Sequence, residues 1–293
     1  MKQVLLTGAG PRGFIGRNLK EHLAGSYELL TPSSKELNLY DYEAVARYMD
    51  THQISHVIHS ANHSTVRDGE DNAMQYDLQM YYHLQKFAPM LDKMLYFGSG
   101  AEYDKRTDIS MVREEEIGKT IPADYYGLYK YIINEDARKS DNIYNLRLFG
   151  IFGKYENWQL KFISNLCCKA VFGLPLTVRQ NCKFDFLYIE DFPDIVKWAL
   201  ETDLRYHDYN ICTGQPVELI DLAQMVRRAS GKDLKITVLK DGMNLEYTAS
   251  NERLLSEYPT VKYTRMEKAV EELYAYYESI KDTLDIHILE NSR

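Results

Sequence analysis

Short apolar runs alternate with longer amphipathic stretches through the first half of the chain. Gln3–Thr7, Tyr27–Thr31, His56–His59, Met94–Phe97 and Tyr144–Phe149 have the length of buried strands. Between them, Ile15–Leu23, Tyr42–Met49 and Tyr76–Phe87 repeat apolar residues at helical spacing. Strand-then-helix alternation predicts an α/β fold, a doubly wound parallel sheet covered by helices on both faces. After Gly153 the texture changes. A helical pattern over Phe162–Phe172 stops at Gly173-Leu174-Pro175, and strand-like Phe186–Ile189 and Tyr209–Cys212 precede helical Leu219–Ala229 and Met266–Ile280. This predicts a main domain over 1–153, with 185–213 returning to it. A smaller mixed α/β lobe, 154–184 and 214–293, would bind substrate and cap the crevice beyond the carboxyl ends of the strands.

Composition narrows the partners. The net charge of −8 leaves no basic footprint for nucleic acid, so an anionic ligand must find local cations. The apolar run Val4-Leu5-Leu6 is too short for a signal peptide, and no stretch approaches the ~18 apolar residues of a membrane span. A cytoplasmic protein without membrane or nucleic-acid partners is expected, assembled as a homodimer. Cys167, Cys168, Cys182 and Cys212 show no CxxC spacing and read as buried free thiols; no metal site is expected.

The first chemical signal is Gly8-Ala9-Gly10-Pro11-Arg12-Gly13-Phe14-Ile15-Gly16, set between a strand and a helix. Glycines allow a tight turn and close approach to a pyrophosphate, and the helix amino terminus offers N–H donors. The second is Tyr126 with Lys130, four apart within the helical pattern Asp124–Glu135 and therefore on one face. An ammonium a few Å from a phenol, at an effective dielectric of about 20, is worth roughly 3–4 kcal/mol towards the phenolate, which fits an acid/base role. Tyr82…Lys86, Tyr258…Lys262 and Tyr277…Lys281 share the spacing, so context must select among them.

Thr7-Gly8-Ala9 with Gly13-Phe14-Ile15-Gly16 resembles the TGxxGFIG fingerprint of extended short-chain dehydrogenases/reductases, the NAD-dependent epimerases, dehydratases and reductases of nucleotide sugars, with two extra residues in the loop. Counted from Gly16, the pattern Gly10-x-x-Gly13-x-x-Gly16 with Arg12 resembles GDP-fucose synthases, where an arginine meets the 2′-phosphate of NADP. The resemblance implies a Rossmann domain, with Gly8, Gly10, Arg12, Gly13, Phe14, Ile15 and Gly16 holding the cofactor. No carboxylate for NAD's ribose ends the second strand; Ser33, Ser34 and Lys35 stand there, and Arg12 with Lys35 would bracket a phosphate. NADP is therefore the expected cofactor. NAD remains open, with both cations then solvated. Val57-Ile58-His59-Ser60-Ala61 resembles the family's VIHxAA segment, which places His59, Ser60 and Ala61 at the cofactor cleft.

In this family a strand-end serine, a YxxxK helix and an LRxFNVYG-like strand follow in order, as Ser99, Tyr126/Lys130 and Arg147–Gly153 do here. The resemblance makes Ser99 a hydrogen-bond donor to the reacting oxygen, Tyr126 the acid/base, and Lys130 the group that lowers the phenol's pKa and holds the nicotinamide ribose. Asp77 takes the place of the family's asparagine. Phe184–Asp191 resembles the RDFxHVxD segment and Tyr209–Gly214 resembles YNxGxG, but Phe184 replaces a substrate-contacting arginine and Gly150 the asparagine of NVYG. Arg179, Lys183 and His63 are the candidates for substrate contact. Gly100 and Ala101 follow Ser99 where dehydratases carry adjacent Asp and Glu, with Glu102 one residue too far along. Hydride chemistry remains: NADPH reduction of a 4-keto (deoxy) nucleotide sugar, or a 4-epimerase with retained NAD. A non-catalytic NAD(P)-sensing regulator is the reading of a different class, and it would need no Tyr/Lys pair.

Overall fold

A computed structural model describes residues 2–63 and 70–291. Six parallel strands form the central sheet in the order β2-β1-β3-β4-β6-β11: β1 (Gln3–Thr7), β2 (Glu28–Leu30), β3 (Ile54–His59), β4 (Lys93–Ser99), β6 (Ile143–Leu148) and β11 (Asp208–Ile211). The two-residue alternation of a strand divides its side chains between two cores. Val4, Leu6, Ile58, Leu95 and Phe97 join one cluster with α1 (Ile15–Leu23) and α6 (Phe192–Glu201). Leu5, Val57, Met94 and Tyr96 join the other, with α2 (Tyr42–Thr51), α3 (Glu70–Gln85) and α4 (Tyr125–Ala137). With both faces covered the strands read as continuous apolar runs, which is why they were legible in the sequence.

Chain order reverses between β1 and β3, and ligands of open α/β sheets sit at such a switch point. The glycine turn leaves β1 there, and Ser60-Ala61 leaves β3.

The lobe holds a four-stranded sheet in the order β12-β9-β14-β5: β5 (Ile109–Val112), β9 (Lys183–Phe184), β12 (Val217–Glu218) and β14 (Tyr247–Ala249). Beside it lie two parallel pairs, β7 (Gly150–Phe152) with β10 (Phe186–Tyr188), and β8 (Leu176–Asn181) with β13 (Ile236–Met243). Helices α5 (Phe162–Phe172), α7 (Leu219–Ser230) and α9 (Met266–Ser279) pack together, with α8 (Glu252–Glu257) against β11 and α10 (Ile286–Asn291) against α5. Two strands depart from the expected division. Ile109–Val112, numbered within 1–153, pairs with Tyr247–Ala249 in the lobe. Phe186–Tyr188, within 185–213, pairs with β7, and only β11 of that segment enters the central sheet. Both are short strands whose partners are remote in sequence, so local pattern carries no sign of the pairing.

No helix among the described residues is long and apolar enough to cross a membrane. All four cysteines are buried and free. Among the described residues, no three His, Cys, Asp or Glu side chains are grouped to hold a metal ion.

Candidate active site

The glycine turn is held by contacts that a side chain would break. Gly8 has φ +73°, and a Cβ there would meet the Ala61 backbone nitrogen at 2.7 Å. At Gly13 and Gly16 a Cβ would fall 2.1 and 2.5 Å from the Gly8 carbonyl oxygen, so the start of α1 lies directly on that carbonyl. Gly10 has no neighbour within 4 Å of such an atom and is exposed; it shapes a small turn, with Gly13 N–H donating to its carbonyl at 2.8 Å. The packing glycines are thus Gly8, Gly13 and Gly16, and Pro11 and Arg12 form an exposed two-residue extension. Phe14, at the helix N-cap, supplies no side-chain cap, and the first turn carries no acid. Its N–H donors and partial positive charge suit a diphosphate, and Ile15 starts the helix at their level.

Thr7 joins β1 to β3. Its hydroxyl accepts from Ser60 N–H and Ala61 N–H, both at 3.1 Å, so its own proton goes to His59 Nδ1 at 2.9 Å. His59 is buried, and burial with nearby Lys130 pushes its pKa down to about 3, leaving a neutral ring. It braces the crevice from inside. After β2, the Ser33 hydroxyl donates to the Glu36 carboxylate at 2.8 Å and is used within its own turn. Ser34 and Lys35 are exposed, as is Arg12. The two cations follow the carboxyl ends of neighbouring parallel strands.

Ser99 ends β4, and its hydroxyl lies near enough to the phenol of Tyr126 on α4 to pull that phenol's pKa down. Lys130, one turn on, is buried and donates to the Phe97 carbonyl at 2.7 Å, with its ammonium 6.0 Å from the centre of the Tyr126 ring. Of the four Tyr…Lys pairs, the one on α4 stands at the carboxyl end of β4, where Ser99 lies. The electrostatics differ from the simple expectation. Burial raises the Tyr126 pKa, opposed by the Ser99 hydroxyl; at that distance Lys130 does not reverse the shift. Burial in turn lowers Lys130 to about 8, against the pull of Asp77 and Glu102. Asp77 is buried, accepts from His63 N–H at 3.1 Å, and is pushed up to about 6 by burial.

Under Ser99 lies a buried ionic network. Glu102, fully buried, accepts from Ser99 N–H at 2.9 Å and from Arg147 Nε at 2.6 Å. Arg147, also fully buried, donates to Asp208 at 2.9 Å, Asn134 at 2.8 Å and Asn210 at 3.0 Å. Asp208 is held further by Arg138 and Arg253. Glu102 is therefore committed to the protein and offers no carboxylate to a ligand. A lone arginine in the apolar run Tyr144–Phe149 was the available signal for this network.

The lobe presents aromatic side chains to Ser99. Tyr247 brings its hydroxyl to 2.5 Å from where a Cβ on Gly100 would be, next to Ser99, and its ring packs 5.1 Å from Phe149 and 4.8 Å from Phe184, which stacks on Phe186 at 5.1 Å. A Cβ on Gly150 would lie 2.7 Å from both the Asp185 carbonyl and the Phe186 ring, so no asparagine fits there. Sequence reasoning missed Tyr247, because its segment has no apolar periodicity. The candidate cations do not replace the family's arginine. Lys183 is exposed beside Phe184 on β9, opposite Glu218, so strand alternation turns it to the other face. Arg179 is exposed on β8, in a different sheet. His63 lies against Tyr76, tilted, with ring centres 4.7 Å apart, and bonds the Tyr40 hydroxyl at 2.8 Å, so its ring is engaged within the protein.

The model of the NAD dependent epimerase/dehydratase family matches residues 4–212, from the first strand to the end of the central sheet. The chain belongs to that family. GDP-L-colitose synthase of Yersinia pseudotuberculosis is 21% identical over 96% of this chain and 99% of its own. The crystal structure of a GDP-L-fucose synthetase from Naegleria fowleri superposes with a TM-score of 0.84 at 18% identity, covering 96% of this chain and 95% of that one. UDP-glucose 4-epimerase of Thermotoga maritima, solved with UDP-glucose, gives 0.80 at 18% identity over 95% and 99%.

Proposed function

We propose that this family member is an NADPH-dependent reductase of a C4 ketone on a nucleotide-activated sugar. The observation that carries the reading is the Tyr126 phenol with buried Lys130 one turn on, set beside Ser99 at the end of β4, in a crevice where Gly100, Ala101 and the sequestered Glu102 leave no acid and base for dehydration. The residues at the glycine turn fit a dinucleotide, because three glycines bring backbone against backbone and the helix N–H groups are left uncapped. Arg12 and Lys35, both exposed after neighbouring parallel strands, are the cations this reading assigns to a 2′-phosphate.

A reduced nicotinamide bound there would supply a hydride to the carbonyl carbon. Ser99 donates a hydrogen bond to the carbonyl oxygen as negative charge builds on it, and Tyr126 transfers its phenol proton to that oxygen. The raised pKa of Tyr126 keeps the proton in place at neutral pH, the form that reduction consumes. Lys130, fixed by the Phe97 carbonyl, stands beside the phenolate left behind and favours it. GDP-linked relatives such as the colitose and fucose synthases support a nucleotide sugar as substrate. An epimerase with retained NAD is the second reading, favoured by Glu36, a carboxylate in the turn after β2.

The test is stoichiometric. With a panel of nucleotide-linked 4-keto-6-deoxy sugars, one NADPH is oxidised per sugar converted, and Tyr126→Phe lowers turnover at least ~10²-fold while cofactor binding persists. Sustained epimerisation with no net change in nicotinamide absorbance would overturn the proposal in favour of the second reading.

A further inference from the structure

Ser99 and Tyr126 belong to different elements, the last residue of β4 and the second of α4, so their separation depends on how firmly strand and helix are tied. One tie is direct: Lys130 on α4 donates to the Phe97 carbonyl of β4 at 2.7 Å. A second runs through side chains. Asn134 lies one turn beyond Lys130 on the same helix, and its Oδ1 accepts from Arg147 Nη2 and from Asn145 Nδ2, both at 2.8 Å. Those two residues stand on β6, in register with Gly98 and Tyr96 of β4. They also hold the Glu102 carboxylate, Arg147 Nε at 2.6 Å and the Asn145 amide at 3.2 Å, and Glu102 accepts from Ser99 N–H at 2.9 Å. The path Asn134–Arg147–Glu102–Ser99 thus leads from the tyrosine's helix to the serine's backbone.

The sequence makes room for this link. A Cβ on Gly98 would lie 2.2 Å from both the Glu102 carboxylate and the Asn145 side chain, so the glycine before Ser99 lets the carboxylate fold beneath the strand end. The Ser99 side chain is held as well, its Oγ accepting from Ala101 N–H at 3.2 Å. Glu102, Asn134, Asn145 and Arg147 are all fully buried, where no water competes for their bonds and a paired network is rigid. Asn134 has Ile133 and Ala137 as buried helix neighbours, a setting in which an amide is costly unless bonded.

We propose that Asn134 is a positioning residue: by gripping Arg147 and Asn145 it locks the helix of Tyr126 and Lys130 to the strand end of Ser99 and sets the separation of serine and tyrosine. It touches neither substrate nor cofactor and moves no proton. The catalytic consequence rests on the function proposed above; the spacing does not.

Two measurements on the full chain keep these apart. Crystal structures of wild type and Asn134→Ala give the Ser99 Oγ to Tyr126 Oη separation whether or not any sugar is turned over. Alanine suits a helix and leaves space for a water against Arg147, but removes the direct grip. The separation changes by at least about 0.5 Å, the tolerance of a catalytic constellation, and a smaller change overturns the proposal. Where alanine does not fold, Asn134→Ser, too short to reach Arg147 directly, is read the same way. The second measurement is kinetic. A misplacement of about 1 Å can cost about 10²-fold, so Asn134→Ala lowers kcat about tenfold with KM and cofactor affinity held. Asn134→Asp, which keeps an acceptor oxygen for Arg147 and Asn145, recovers most of that loss. The control is Arg253, which pairs with Asp208 and Glu115 away from this path. Arg253→Met lowers Tm but leaves kcat unchanged. Wild-type kcat in Asn134→Ala, or an equal kcat loss in Arg253→Met, overturns the proposal. A wild-type enzyme inactive on every sugar of the panel, with the spacing altered in Asn134→Ala as expected, would sink the reductase reading and leave the role of Asn134 standing.

Discussion

Replacing Arg147 with methionine tests whether the ionic network beneath Ser99 holds the fold together. The guanidinium is fully buried and is bonded to Glu102, Asp208, Asn134 and Asn210. Its removal is not felt equally by the two carboxylates. Asp208 keeps Arg138 at 3.1 Å and Arg253 at 2.8 Å. Glu102 loses its cation and keeps only neutral donors, Ser99 N–H and the Asn145 amide, with no exposure to water. Stranding a buried charge in this way costs about 3–5 kcal/mol. At about 2 °C per kcal/mol for a chain of this size, Tm falls by roughly 6–10 °C, read by calorimetry or circular dichroism at neutral pH. The double variant Arg147→Met/Glu102→Gln removes the stranded charge, keeps an acceptor for Ser99 N–H, and regains a large part of the loss. A single-variant loss below about 1 kcal/mol, or a double variant no more stable than the single one, would refute this account of the network.

Two further outcomes follow from the site. Arg12→Ala weakens NADPH binding by about 1.5–3 kcal/mol, the scale of a charge-assisted hydrogen bond, and leaves NADH affinity nearly unchanged; equal losses in a fluorescence titration would assign Arg12 to the pyrophosphate or the turn instead. For Asp77, the folded state raises the carboxyl from an ordinary 3.8 to about 6, so it favours the protonated form. Wild-type stability therefore falls as pH rises from about 4 to 6 and stays lower above it, by up to about 3 kcal/mol. Asp77→Asn has no such ionisation, and its stability relative to wild type increases over that window in denaturant titrations; a pH-independent difference would show that Asp77 remains ionised throughout.

The sheet was legible because its strands are buried on both faces and its helices on one. Apolar runs and helical stripes mark such elements without tertiary knowledge, and the six strand positions differ from expectation only at their ends. Glycines at 8, 13 and 16 were legible for the same reason, since close backbone contact admits no other residue. Roles decided by distant partners were not. The His59 segment suggested a cofactor contact, yet the ring bonds Thr7 and is sealed inside. Lys183 looked like a substitute for an absent arginine until strand alternation turned it from Phe184. Tyr247 is brought against Gly100, next to Ser99, by pairing across more than a hundred residues, for which no local pattern exists.

The strand Ile109–Val112 has a consequence for how this molecule can be taken apart. It is encoded between the fourth and fifth strands of the cofactor-binding half, yet it completes the sheet of the other half, with Ile109 buried against Ala249 and Cys212. The polypeptide is thus sewn through both halves and not merely joined at a hinge. A cut near residue 153 would leave the first piece carrying an orphan apolar strand and the second lacking an edge of its sheet. Recombining halves between family members would meet the same obstacle, unless residues 109–112 travelled with the lobe they serve.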